Sequence, residues 1–144
     1  MLTATIPEIP PVVNQPADLH EFTSGLLNTI TTKAVLNKIN FINDVPARLP
    51  LATDQGMLTM MLGALLSVVV FHAKDNCIRL TAKTYGHVVM MYVTDHLSDM
   101  PAVETEVCKL KPVAEKMLCS VSVSSLRKDL TTVAFGFVNL PLMD

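Results

Sequence analysis

The stretch Asp54–His72, DQGMLTMMLGALLSVVVFH, decides how this chain folds. Apolar residues recur in it at spacings of three and four, as on one face of a long helix. These residues are Leu58, Met61, Leu62, Leu65 and Val69. Aspartate is a residue type that caps helix N-termini, so the helix is predicted to begin after Asp54 and to run to about Phe71. The pattern indicates a central helix that packs against other elements.

A second apolar face makes this helix apolar nearly all round, so we expect it to be covered on both sides. The second face consists of Met57, Met60, Ala64, Val68 and Phe71. A sheet can cover only one face, which leaves a loop of the same chain, an apolar ligand or another chain for the other. We expect a loop formed by residues 96–109 to cover the second face, with some contribution from self-association of the protein. This segment suits the role because it carries apolar side chains at spacings of three and four. These side chains are Leu97, Met100, Val103 and Val107.

A membrane span is an alternative interpretation of the same stretch, since residues 55–73 contain no acidic or basic residue apart from His72. A span needs about 20 apolar residues. Polar and small residues dilute the stretch, and strand patterns follow it closely. We therefore predict a buried core helix and no membrane contact.

Shorter patterns surround the central helix. A first helix is predicted from Asp18 to Ile30, and residues 38–45 are rich in strand-forming types. Residues 77–84 and 88–93 predict two strands joined by a turn at Tyr85-Gly86, of which the second is apolar on both faces and should be the more central. Residues 96–109 have no clear period and are predicted as a loop. A short helix from Pro112 to Leu118 and two strands, 121–123 and 132–140, complete the order.

Bulk composition excludes several functions. The chain has 144 residues, enough for one domain, and its net charge of -2 with scattered lysine and arginine makes nucleic acid an unexpected partner. The three cysteines, Cys77, Cys108 and Cys119, show no metal-ligand spacing, so no metal site is expected. Residues 1–16 contain prolines and no basic n-region, and we expect an irregular arm, not a signal peptide, on a cytoplasmic protein.

Four local strings occur in a distinctive order. They are Val45-Pro46-Ala47-Arg48-Leu49-Pro50 before Asp54, then Val93-Thr94-Asp95, then residues 120–125 (SVSVSS), then Asn139-Leu140-Pro141. From Asp18 to Pro141 this order resembles the ATP-binding domain of histidine kinases, whose fold is shared with gyrase-type ATPases. The resemblance implies an α+β fold over residues 17–144, a two-layer sandwich with one mixed β-sheet covered on one face by about three helices.

The positions that bind nucleotide in that family have changed here. The family's central helix presents asparagines that hold magnesium and, one turn further on, a lysine; gapless alignment places Ala64, Val68 and Phe71 at these positions. Magnesium requires oxygen ligands, and an apolar side chain beside phosphate offers no hydrogen bond. The resemblance therefore implies a pocket without its metal ligands.

Asp95 matches the family's adenine-binding aspartate, but its surroundings differ. His96, Leu97, Ser98 and Asp99 follow it where the family has glycines, and no glycine occurs in residues 96–109 to form a phosphate-cradling lid. Leu118 and Cys119 replace a glycine pair expected before the last hairpin. The predicted vestigial pocket is Ala64, Val68, Phe71, Asp95 and Leu97, with no catalytic residue, metal or cofactor.

His20-Glu21 is similar to the two-residue core of the histidine kinase phosphoacceptor motif. That phosphoacceptor lies on a long dimerising hairpin, whereas only one short helix fits before Lys38. We therefore interpret His20 as a solvent-facing residue beside the core residues Leu19 and Phe22.

The sequence thus predicts a non-catalytic histidine-kinase-like module that acts through protein contacts in bacterial two-component signalling. Its partner would be a kinase, a response regulator or a second copy in a homo-oligomer, and ATP is not expected to bind. Two alternatives stay open: a diverged domain that still binds nucleotide weakly through Asp95, and a binder of a small apolar ligand in the vestigial pocket.

Overall fold

The structure is a computed structural model that describes residues 17–30, 39–72, 77–96, 100–127 and 130–140. Its helices are α1 (Leu19–Thr29), α2 (Gln55–His72), α3 (Met100–Cys108) and α4 (Lys111–Lys116). Its strands are β1 (Ala17–Asp18), β2 (Asn40–Asn43), β3 (Pro50–Leu51), β4 (Cys77–Tyr85), β5 (Val88–His96), β6 (Cys119–Arg127) and β7 (Leu130–Val138). The predicted arm, residues 1–16, and Leu97 lie outside the described residues.

One mixed five-stranded sheet forms the base of the fold, in the order β2-β4-β5-β7-β6. Strands β2 and β4 run parallel, and the other neighbours are antiparallel. Strand β5 is the middle strand, which confirms the expectation that it is more central than β4. The predicted α+β architecture is therefore confirmed, with four described helices where about three were expected.

Helix α2 supplies the helical side of the core. Seven of its residues are buried, namely Leu58, Met61, Leu62, Leu65, Leu66, Val69 and Val70. They belong to the same core cluster as the alternate residues of the sheet, such as Leu80, Met91 and Phe135. Although α2 is long and apolar enough to cross a membrane, seven of its apolar residues are buried in the core of the protein.

The N-terminus of α1 is fixed by Asp18, as the sequence predicted. The Asp18 carboxylate accepts hydrogen bonds from the backbone N–H groups of His20 and Arg48, each at 2.7 Å. Burial opposes ionisation of this carboxyl group, but the hydrogen bonds from Arg48 and the first turn of α1 outweigh it and lower the pKa of Asp18. One side chain thus joins the start of α1 to the segment before α2.

Asn139 makes a second long-range connection. Its side-chain oxygen accepts from the backbone N–H of Ala52 at 2.8 Å, and its side-chain nitrogen donates to the carbonyl of Pro50 at 2.8 Å. The end of β7 is thereby held against the segment that leads into α2.

The prediction that residues 96–109 form a loop is wrong, because α3 occupies Met100–Cys108. Pro101 suits the first turn of this helix, where its missing N–H would be unpaired anyway. Val103 and Val107 lie one turn apart and are fully buried, so tertiary packing stabilises a short helix whose apolar spacing of three and four was already present in the sequence.

Leu118 occupies a backbone conformation that favours glycine. Its φ is 59°, in the left-handed region, at the turn between α4 and β6. The resemblance to histidine kinases implies a glycine pair at this point of the chain. Glycine would suit the left-handed conformation, but the chain carries a leucine there. An L-residue with a Cβ costs about 1–2 kcal/mol in this conformation.

Replacing Leu118 with glycine is therefore expected to raise the free energy of unfolding by about 1 kcal/mol, after allowing for glycine's greater freedom in the unfolded chain. Leu118→Ala keeps the Cβ and should stay within about 0.5 kcal/mol of wild type. Urea denaturation measures the free energy of unfolding of both variants. A glycine variant no more stable than the alanine variant would show that the turn is not strained.

Candidate functional site

Three of the predicted pocket residues follow one another on α2. Ala64 and Val68 are half-buried one turn apart, and Val68 packs against the core cluster. Phe71 lies in the next turn and is 76% exposed, with its ring in an edge-on contact with that of His72 at 5.0 Å between centroids. None of these three side chains offers an oxygen or a charge to a metal ion or a phosphate group.

Helix α3 lies beside α2 and contacts both α2 and β6. Its residues Val103 and Val107 are fully buried. On the opposite flank, α1 contacts α2 closely, since a Cβ placed on Gly63 would lie 3.9 Å from Cδ1 of Leu26. The expectation that residues 96–109 cover part of α2 is therefore confirmed, with a helix in place of the loop.

Part of the surface of α2 is not covered by the chain itself, which leaves the predicted cover by a ligand or another chain untested there. Met60 and Phe71 are exposed, as are the small residues Gly56 and Ser67. These positions recur at spacings of four, seven and four along α2, so they form one strip that points away from the sheet. The physical reason is that α1 and α3 flank the helix and leave a gap between them.

Asp95 is buried inside the protein and is only 1% exposed. It pairs in register with Thr131 of β7, which is also buried, next to the apolar pair Val93 and Val133. The alternation along β5 places Asp95 on the same side of the sheet as Val93, towards the helices. The carboxylate is thus positioned at the end of β5 but closed to solvent.

Two surface cavities open elsewhere, and neither is lined by a predicted pocket residue. One of about 250 Å³ is lined by Lys111, Ala114, Glu115, Cys119, Ser120 and Val121. The other, of about 320 Å³, lies between α1 and α2 and is lined by Glu21, Phe22, Gly25, Leu26, Thr29 and Thr59.

His20 is not the solvent-facing residue that the sequence predicted. It is half-buried, and its Nδ1 lies 2.8 Å from the carbonyl oxygen of Val45. The segment after β2 folds back over the start of α1, where the backbone N–H of Leu19 also donates to the carbonyl of Leu49 at 2.9 Å. His20 therefore helps to hold that segment, on a helix of 11 residues.

Within the described residues, no group of three or more histidine, cysteine, aspartate or glutamate side chains is arranged to hold a metal ion. Among the cysteines, burial raises the pKa of the Cys119 thiol, whose sulfur lies 3.4 Å from the sulfur of Met57. This thiol packs as a small apolar group.

Solved structures with the same architecture are histidine kinase domains. The catalytic domain of the histidine kinase ThkA, in a nucleotide-free form, superposes with a TM-score of 0.68 at 12% identity, covering 89% of this chain and 98% of that one. The mycobacterial sensor histidine kinase MprB superposes with a TM-score of 0.63 at 13% identity, covering 89% of this chain and 99% of that one. This chain has the histidine kinase ATPase fold.

Full-length ShkA in complex with AMPPNP shares the histidine kinase ATPase fold with this chain at a TM-score of 0.69 and 16% identity, over 89% of this chain and 32% of ShkA. ThkA in complex with the response regulator protein TrrA superposes with a TM-score of 0.66 at 13% identity, over 88% of this chain and 42% of that one. No protein-family model and no characterised protein matches the sequence itself.

We predict that Val68→Asp destabilises the protein by about 2 kcal/mol or more, because it places a carboxylate at a half-buried position that packs against the core cluster. The matched control is Ser67→Asp, one residue earlier on the exposed strip, which should change stability by less than about 0.5 kcal/mol. Chemical denaturation of both variants measures the difference. Equal stability of the two variants would contradict the burial of Val68.

Proposed function

We propose that this chain is a non-catalytic module with the histidine kinase ATPase fold that acts through protein contacts in two-component signalling. The observation that carries the proposal is the chemistry of α2. The positions aligned with metal and phosphate ligands hold Ala64, Val68 and Phe71, and none of these can replace the hydration shell of magnesium or pair with a phosphate.

The packing of α3 supports the same proposal. Val103 and Val107 are fully buried, and α3 contacts α2. A nucleotide in that place would have to displace apolar contacts and would gain no polar partner from α2.

Protein contacts are supported by the surface that α2 leaves open. All the exposed residues of α2 are uncharged: Gln55, Gly56, Thr59, Met60, Ser67 and Phe71. Solvent-facing helix surfaces usually carry charged residues, and a large exposed aromatic ring favours a partner. The complex of ThkA with TrrA is a precedent for a response regulator as partner of a protein with this fold.

Weak nucleotide binding is the alternative function, and the buried Asp95 is the feature that favours it. An adenine amino group would need a path to a carboxylate that is 1% exposed, so binding would require local opening. Even then, the base alone would be held, because α2 offers nothing to the phosphates.

Calorimetric titration with magnesium-ADP and magnesium-ATP tests the proposal. We expect no saturation below the millimolar range, a limit of about -4 kcal/mol in binding free energy, and no transfer of radiolabelled phosphate to His20. Micromolar binding that Asp95→Ala removes would instead establish the alternative. In that experiment, melting of Asp95→Ala must be checked, because the residue is buried.

A further inference from the structure

The side of the sheet that faces away from the helices is a broad surface of its own, which we call the outer face. It consists of the residues of β4, β5, β6 and β7 that alternate with the buried ones, since successive strand residues point to opposite sides. Along β5, for example, Val89, Met91 and Val93 are buried, while Val88 and Tyr92 belong to the outer face.

One end of the outer face carries a row of exposed apolar side chains across three neighbouring strands. Tyr85 of β4 is directly opposite Val88 of β5, and Val88 is directly opposite Val138 of β7. All three are exposed, and so is Leu140 just beyond. Directly opposed residues have Cβ atoms about 4.5–5.5 Å apart, so the row is a continuous apolar patch.

The neighbouring row keeps the outer face flat. Met90 is paired with Gly136, and Gly136 with Ser120. A Cβ on Gly136 would lie 2.6 Å from Sδ of Met90 and 2.7 Å from Oγ of Ser120, so the Met90 side chain lies across the glycine. Tyr92 follows on β5, and burial together with a hydrogen bond to Tyr85 raises its pKa.

Charge is sparse on the outer face and of one sign. Among the outer-face side chains that the structure describes, in residues 77–95, 119–124 and 130–138, the charged ones are Arg79 and Lys83, both on β4, and Arg79 forms an ion pair with Asp44. If two copies met with a twofold axis along β5, Lys83 of each copy would face the β7 side of the other. The two lysines would stay apart, and the apolar row of one copy would meet the same row of the other copy.

The dimensions also suit a second copy. The strands β4, β5, β6 and β7 have nine residues each, which gives a face of about 20 by 30 Å at the usual strand spacing and rise. With its side chains, such a surface approaches the roughly 800 Å² per partner of a standard interface. The exposed strip of α2 is one helix wide and much smaller.

We propose that two copies of this chain associate face to face through the outer face of the sheet, with the Tyr85–Val88–Val138 row at the contact. Sheets stack in this way at about 10 Å, with the side chains of the two faces interdigitated. This inference does not rest on the proposed function, because a chain that binds nucleotide could associate through the same surface.

Sedimentation equilibrium of the full chain, from low micromolar to about millimolar concentration, tests whether the outer faces of two copies associate. We expect a monomer–dimer equilibrium that Val138→Glu weakens about a hundredfold or more, since the carboxylate would be desolvated in the contact. Val113→Glu on α4 is the matched control, because Val113 and Val138 are each 39% exposed. It should leave the equilibrium unchanged.

Tyr85→Glu, at the other end of the row, provides a second test if Val138→Glu does not fold, and it should dissociate the dimer to a similar extent. A wild-type protein that is monomeric throughout the range overturns the proposal. So does a dimer that both outer-face variants leave intact, or one that Val113→Glu disrupts equally. Loss of association only in Phe71→Glu would assign the contact to α2 and overturn the proposal as well.

Discussion

The packing of an uncharged helix on a sheet, with α1 and α3 on its flanks, is the constraint on which the rest of this structure depends. From Gln55 to His72, α2 carries no acidic residue, lysine or arginine, and seven of its residues fill the core above the sheet. A surface this apolar is stable only where other elements exclude water from it. Helices α1 and α3 do so on the flanks, and the fully buried Val103 and Val107 show how closely α3 takes part.

The fold of this chain and the chemistry of its proposed site depend on different residues. The sheet order, the capped α1 and the Asn139 link to the segment before α2 hold the architecture of this chain together. Ala64, Val68 and Phe71 are compatible with that architecture but have no affinity for phosphate or metal ions. A fold therefore persists here while the residues at one site favour apolar contacts, in keeping with the rule that function depends on the site.

Sequence periodicity was sufficient for the long elements, because α2 and β5 have strong patterns that tertiary contacts reinforce. For α3 the apolar spacing of three and four was present but was interpreted as a loop, and burial of Val103 and Val107 stabilises the nine-residue helix that forms instead. Sequence periodicity failed for His20, since the hydrogen bond to Val45 joins residues 25 apart along the chain. The exposure of Phe71 could not be predicted either, because α1 and α3 cover α2 from the sides and leave a strip between them. The residues of the predicted pocket stay a prediction, and the burial of Asp95 beside Thr131 required the strand register.

The central claim is that α3 packs stably against α2 and that, as proposed above, no phosphate group binds beside Ala64, Val68 and Phe71. Amide hydrogen exchange of α2 and α3, measured with and without magnesium-ATP, tests it most directly. The account predicts that the amides around Val103 and Val107 are protected in the free protein and that the nucleotide leaves their exchange unchanged. Exchange in α3 as fast as in an open loop, followed by protection when magnesium-ATP is added, would contradict it.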